Sequence, residues 1–150
     1  MPHTEDTSIH HKWLQTFYPI SANEAAAGSA LEAVRHSLQK WRGLSADNMA
    51  KYHVQLRGGM LVVDADASEV LIAIASDTCS LCVKYYNVHA RSGKTGCETC
   101  PIFFAHDRAC DDRDLGEWQA WSRTKDPLPM IEVLEATEAY LMSQGNTSVV

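Results

Sequence analysis

Apolar residues recur at helical spacing between residues 21 and 43. Ser21 and Glu24 match a capping box, in which the serine oxygen accepts from the amide three residues on and the glutamate bonds back. The apolar positions that follow share one helical face: Ala27, Leu31, Val34, Leu38 and Trp41. The sequence therefore predicts one long helix from Ala22 to Arg42, which ends at Gly43.

A second helical pattern runs from Met130 to about Ser143 and predicts the final helix. Its predicted inward positions are Met130, Val133, Leu134, Thr137, Tyr140 and Leu141. We expect this helix and the long one to pack on a sheet and form the main core. Leu31, Leu38 and Leu134 should then be buried.

Two short apolar runs rich in β-branched residues predict strands, Met60–Val63 and Val70–Ala75. The polar segment 64–68 between them fits a hairpin with a longer loop. A further strand is predicted at Val83–Tyr86 from its β-branched and aromatic residues. The sheet is therefore expected to be small and antiparallel.

The remaining elements are short. Shorter helices are predicted at 10–18, 45–52 and 112–121. Helices packed on a small antiparallel sheet make an α+β fold, and the length of 150 residues predicts a single domain, 1–150. Residues 1–8 and 146–150 are predicted to be disordered ends.

Four of the five cysteines form two CxxC pairs separated by fourteen residues. This separation falls just below the C-x2-C-x15–20-C-x2-C spacing of zinc sites. A CxxC turn directs two thiolates at one ion, so two turns supply a closed tetrahedral set. The sequence therefore predicts a zinc-binding segment, 79–110, with a zinc-ribbon-like or zinc-knuckle loop. The predicted ligands of the single Zn²⁺ are Cys79, Cys82, Cys97 and Cys100.

Three more side chains lie within reach of this site along the chain. Cys110 follows Cys100 by ten residues and is an alternative to one of the four cysteines. His89 or His106 in place of one cysteine would make a Cys3His site. Histidines in such positions are more often surface or capping residues, so the four CxxC cysteines stay the predicted set.

The sequence gives less support to a catalytic zinc site or to a redox-active pair of cysteines. A catalytic zinc keeps an open position beside a general base, and neither the deaminase signature nor H-E-x-x-H occurs. Thioredoxin-like CxxC sites lie in a βαβ context, which the pattern does not predict. We therefore expect a non-enzymatic protein, with a zinc-dependent hydrolase as a less favoured class.

The chain has a formal net charge of −6, yet residues 79–110 carry a surplus of +2. The basic side chains of that segment are Lys84, Arg91, Lys94 and Arg108. In an alternative interpretation the segment is a zinc ribbon that binds nucleic acid, with these cations on phosphates and nearby aromatic rings on bases. The acidity of the whole chain argues against this interpretation.

Hydropathy and cysteine use indicate a compartment. The first eight residues are polar, and the longest apolar run is far shorter than the ~18 residues of a membrane span. We therefore expect a cytoplasmic protein with no membrane partner. In a reducing compartment cysteines bind metal more often than they form disulfides.

The cysteine pattern also resembles that of a known group. Cys79-Ser80-Leu81-Cys82, then Cys97-Glu98-Thr99-Cys100-Pro101, then Cys110 is similar to small phage, prophage and bacterial proteins of uncharacterised function. Their pattern is CxLC, a variable loop, CxxCP and one more cysteine, and the flanks 40–44 and 129–132 are similar as well. The resemblance implies a metal and a phage or mobile-element setting, but no reaction. It leads us to expect an accessory factor that engages, and in one version inhibits, a host protein.

Overall fold

The computed structural model describes residues 3–74, 78–86, 101–102 and 117–144. The elements are α1 (His3–Phe17), α2 (Ala22–Ala26), α3 (Ala30–Arg42), α4 (Ala46–Lys51), β1 (Val54–Arg57), β2 (Met60–Val63), β3 (Asp66–Ala73), a π-helical turn (Cys82–Tyr86), α5 (Glu117–Thr124) and α6 (Leu128–Ser143). Helices with a three-stranded antiparallel sheet confirm the predicted α+β class. Within these ranges no helix has the length and apolar character needed to cross a membrane.

The predicted long helix is two helices, because the chain breaks around Gly28. Ser21 and Ser29 each head a capping box, with Glu24 and Glu32 as their partners. At the second box the Glu32 amide donates to Ser29 Oγ at 3.1 Å, and the Ser29 amide donates to Glu32 Oε1 at 2.7 Å. The prediction of one uninterrupted helix is wrong, since it used only the first of the two serine–glutamate pairs.

The three strands form an antiparallel meander in chain order. β1 pairs with β2 so that Val54 lies opposite Val63. Gly58 and Gly59 join the two strands at φ values of 54° and 83°, a region in which glycine meets no steric penalty. β1 is absent from the strands predicted above, although Gly58-Gly59 is a dipeptide typical of a two-residue hairpin turn.

β3 spans Asp66–Ala73 and therefore begins and ends earlier than the predicted strand Val70–Ala75. The link between β2 and β3 is consequently residues 64–65, shorter than the predicted 64–68. The register between β2 and β3 shifts twice, which accommodates the greater length of β3.

Three buried tryptophans join the helices. Trp13, Trp41 and Trp121 are each at most 2% exposed. The indole of Trp13 donates to the Gly43 carbonyl at 2.8 Å, and a Cβ added at Gly43 would lie 2.7 Å from the Trp13 ring. Trp41 and Trp121 meet edge to face with centroids 5.1 Å apart. Ring packing thus connects α1, α3 and α5.

The packing of α3 against α6 provides much of the core. Leu31, Leu38 and Leu134 are at most 5% exposed, which confirms the predicted burial. Two exposed ion pairs flank the contact: Arg35–Glu138 at 2.7 Å and Arg42–Glu135 at 2.9 Å. Such surface pairs contribute about 0–1 kcal/mol each, so apolar burial stabilises this contact more than charge does.

The helix ends differ from the predictions in several places. α6 begins at Leu128, two residues before the predicted start, because Pro129 fits the first helical turn, where its missing amide has no partner to lose. Tyr140 was predicted to face inward but is 36% exposed. α1 begins at His3, before the predicted start at residue 10. The predicted loose end 146–150 and the first five residues of the predicted helix, 112–116, lie outside the described residues.

Candidate metal centre

The first CxxC pair lies on a helical turn. Cys79 precedes the turn, residues 80–81 are helical, and Cys82 begins the π-helical turn that continues to Tyr86. The predicted strand Val83–Tyr86 is therefore wrong. The physical reason is local, because the amides of Leu81 and Cys82 donate to the Cys79 sulfur and the Val83 amide donates to the Cys79 carbonyl at 3.0 Å.

Hydrogen bonds fasten this turn to the core. The buried Ser80 hydroxyl donates to the Ala33 carbonyl of α3 at 2.6 Å. The Thr78 hydroxyl donates to the Ala73 carbonyl at the end of β3 at 2.7 Å. Leu81 is 2% exposed and belongs to the main hydrophobic cluster. The two thiols are therefore held on a turn that α3 and β3 both support.

The surroundings of Cys79 favour its thiolate. The pKa of the Cys79 thiol is lowered from 9.0 to about 5. The largest cause is the hydrogen bond from the Cys82 side chain; burial opposes it, and the ammonium of Lys40 and the two turn amides contribute to the lowering. Cys79 and Cys82 are both half-buried, and neither forms a disulfide within the described residues. Thiolate is the form of cysteine that binds metal and attacks electrophiles.

Lys40 is a site residue that the sequence analysis missed. Its side chain is 1% exposed, and Nζ donates to the Thr78 carbonyl at 3.1 Å, one residue before Cys79. His36 and Ser37 precede it on α3, and Ser37 Oγ lies 4.0 Å from Cys79 Sγ. No sequence signal separates Lys40 from the other polar residues of α3, because only the packing of this helix decides which of them are buried.

His36 is a further buried polar residue of α3. Burial lowers the pKa of its imidazole, whereas the hydrogen bond to the Ile20 carbonyl, 2.8 Å from Nε2, raises it. Lys40 lowers the same pKa and Cys79 raises it, so the three groups share one electrostatic environment. When the imidazole of His36 is neutral, the positive charge beside the two thiols comes from Lys40.

The rest of the predicted ligand set lies outside the described residues. This applies to Cys97, Cys100, the alternative ligand Cys110, and the histidines His89 and His106. Pro101 and Ile102, which follow Cys100 directly, are buried, and Ile102 belongs to the same hydrophobic cluster as Leu81.

One of the four basic residues in the nucleic-acid interpretation falls within the described part of the chain. Lys84 Nζ donates to the carbonyls of Ala26 at 3.1 Å and Gly28 at 2.8 Å. These carbonyls lie at the C-terminal end of α2, where a cation is favourable. Lys84 therefore has an intrachain role, and Arg91, Lys94 and Arg108 lie outside the described residues.

Comparison with known proteins adds no relative: no protein-family model, curated protein or solved structure matches this chain. Conclusions about function therefore rest on the residues themselves. The first pair presents two thiols on an amide-capped turn beside a buried ammonium. This arrangement suits a soft or borderline metal ion, and it also suits dithiol redox chemistry.

The depressed pKa has two measurable consequences in metal-free protein. The alkylation rate of Cys79 by iodoacetamide, followed by mass spectrometry across pH, should titrate near pH 5 and not near 9.0.

Because the Cys79 thiol is more acidic in the folded state, the folded protein binds fewer protons between pH 5 and pH 9.0 than the unfolded protein does. The free energy of unfolding should therefore rise with pH across this window, and this contribution is lost as pH falls through about 5.

Substitution of Lys40 tests the electrostatic cause. Lys40→Met keeps a long apolar stem but removes the ammonium, so the Cys79 titration should move to higher pH. Lys51→Met, at an exposed position on α4, is the matched control and should leave the titration unchanged. A folded Lys40→Met protein with the wild-type profile would contradict the role given to Lys40.

Proposed function

We propose that this protein is a zinc-stabilised, non-enzymatic binding protein in which the metal orders segment 79–110. The observation that carries the proposal is the turn at Cys79 and Cys82, where amides and Lys40 favour a thiolate beside a second thiol. This pair is half of a tetrahedral thiolate set. Cys97 and Cys100 are the residues we propose to complete it, and the burial of Pro101 and Ile102, which follow Cys100 in the sequence, supports the arrangement.

The buried ammonium supports a metal–thiolate centre on electrostatic grounds. Four thiolates around one Zn²⁺ carry a formal charge of −2, which is costly to bury without compensation. Lys40 is 1% exposed and lies beside the first pair, so it offsets part of that charge. The negative charge of the zinc–thiolate centre in turn stabilises a buried ammonium that would otherwise be costly.

We further propose that the zinc-held segment engages a host protein and that the chain is an accessory factor of a phage or mobile element. The resemblance in the cysteine pattern supports the setting, and the basic surplus of residues 79–110 between acidic flanks supports a binding role. A loop held by a metal presents its side chains with little loss of conformational entropy on binding.

One observation favours a second candidate, a dithiol that exchanges with disulfides. Cys79 lies at the start of a helical turn with a depressed pKa, as attacking cysteines of CxxC motifs do. In this alternative the Cys79 thiolate attacks a partner disulfide, forms a mixed disulfide and releases one partner thiolate. Cys82, deprotonated, then attacks Cys79 Sγ, which releases the second partner thiolate and leaves a Cys79–Cys82 disulfide.

A capture experiment from host lysate separates these candidates. Tagged wild-type protein, with and without nuclease treatment, should retain a stoichiometric protein partner under both conditions. Recovery of nucleic acid alone, with strong salt dependence, would instead favour the zinc-ribbon alternative.

Cys82→Ser should trap a partner through a reducible bond only in the redox alternative. Metal-dependent hydrolysis by the purified protein would favour the hydrolase class.

A further inference from the structure

Two histidines of α1 and one glutamate of β3 meet at the surface, away from the cysteines in sequence. His11 Nε2 lies 3.0 Å from Glu69 Oε2, and His10 Nε2 lies 3.8 Å from the same oxygen. The two imidazole rings contact each other with centroids 4.5 Å apart. One ligand atom from each of the three residues lies within 4.8 Å of the other two.

We propose that His10, His11 and Glu69 bind a divalent transition metal ion. In a tetrahedral site with donors about 2.1 Å from the ion, neighbouring donors lie about 3.4 Å apart, close to the two separations from Glu69 Oε2. Two imidazoles and one carboxylate suit Zn²⁺, Ni²⁺ or Co²⁺, whereas Ca²⁺ and Mg²⁺ need more oxygen donors. A three-residue set leaves at least one position for water or a small anion.

The position of His10 distinguishes this group from a simple histidine–glutamate ion pair. The bond from His11 would satisfy Glu69 Oε2 by itself, and 3.8 Å is too long for a second hydrogen bond. His10 nevertheless directs Nε2 to the same oxygen from a side chain that is only 12% exposed. His11 and Glu69 are 46% and 42% exposed, so an ion can enter from solvent.

The scaffold holds the donors in place. Trp13 follows His11 by two residues, is fully buried and bonds the Gly43 carbonyl, which fixes this part of α1. Glu69 lies on β3, a terminal strand of the three-stranded sheet. The bound ion would therefore join α1 to the sheet. The sequence carries no signal for this site, because His11 and Glu69 are 58 residues apart.

Zinc titration of the whole 150-residue chain by calorimetry tests the proposal. Wild-type protein should bind one more equivalent of Zn²⁺ than His11→Ala or Glu69→Gln, or bind it more tightly by more than about tenfold, since even outer-shell partners are worth about 10–100-fold. His53→Asn is the matched control: it removes another exposed histidine, and asparagine tolerates the φ of 57° there. This control should bind as the wild type does.

Two further variants make the outcome decisive. Loss of the extra equivalent in His10→Ala supports the three-residue site, whereas unchanged binding in His10→Ala, or in both His11→Ala and Glu69→Gln, overturns it. The inference is independent of the cysteine proposal. Cys79→Ser should remove a different equivalent and leave the zinc-induced shifts of the His10 and His11 ring resonances unchanged. Failure of either site therefore leaves the other measurable.

Discussion

Replacing Cys79 by serine should abolish binding of the proposed cysteine-held zinc ion and unfold the segment that we propose it orders. A structural zinc site contributes an apparent binding free energy on the order of 10 kcal/mol to folding, and a serine hydroxyl does not replace a thiolate ligand. Cys82→Ser should have the same effect. Mass spectrometry or atomic emission on protein purified without added zinc gives the metal content, and denaturant titration gives the loss of stability.

Cys110→Ser is the control for this prediction and should retain its zinc. If Cys110→Ser loses the metal while Cys97→Ser keeps it, the ligand set is wrong although the site survives. A wild-type protein that is folded and carries no zinc on these thiols would contradict the proposal of a zinc site at the cysteines. The dithiol alternative then becomes the better explanation of the depressed Cys79 pKa.

Leu38→Ala should lower the free energy of unfolding by about 2–5 kcal/mol, the usual cost of a large-to-small change in a packed core. Leu38 is 2% exposed on α3, which packs against α6. The substitution removes apolar contacts and leaves a cavity that two helices cannot readily close. Urea titration with linear extrapolation measures the change.

The matched control is the same substitution at an exposed leucine. Leu128 is 51% exposed at the start of α6, so Leu128→Ala should change the stability by no more than about 0.5 kcal/mol. Equal costs for the two variants would show that the contact between α3 and α6 is not the main core. A small cost for Leu38→Ala alone would place this part of α3 at a surface.

Much of the secondary structure was predictable from interactions between residues close together in the sequence. The predicted box at Ser21 and Glu24 forms because both hydrogen bonds close within three residues. Gly43 ends α3 as predicted, and the four residues of β2 match their prediction. The box at Ser29 was equally local and was overlooked, since the apolar spacing ran through it. Residues 58–59 likewise encoded a turn in their two glycines.

The burial of particular side chains was predictable only in part. Periodicity placed Leu31, Leu38 and Leu134 inside, because apolar positions on one helical face must leave water. It placed Tyr140 inside as well, and the structure exposes it. The length of α6 that lies in the core depends on where α3 ends. The apolar pattern of α6 contains no information about the end of α3.

The candidate sites divide in the same way. CxxC spacing alone indicated that Cys79 and Cys82 act together, because two intervening residues close one turn. Their pairing with Lys40, and the convergence of His10 and His11 on Glu69, required the tertiary structure. These contacts join residues that are 39 to 59 positions apart, and no short-range rule relates them. The cysteine spacing is thus a property of the local chain, whereas the charge beside the thiols and the group of His10, His11 and Glu69 arise only when α1, α3 and β3 pack together.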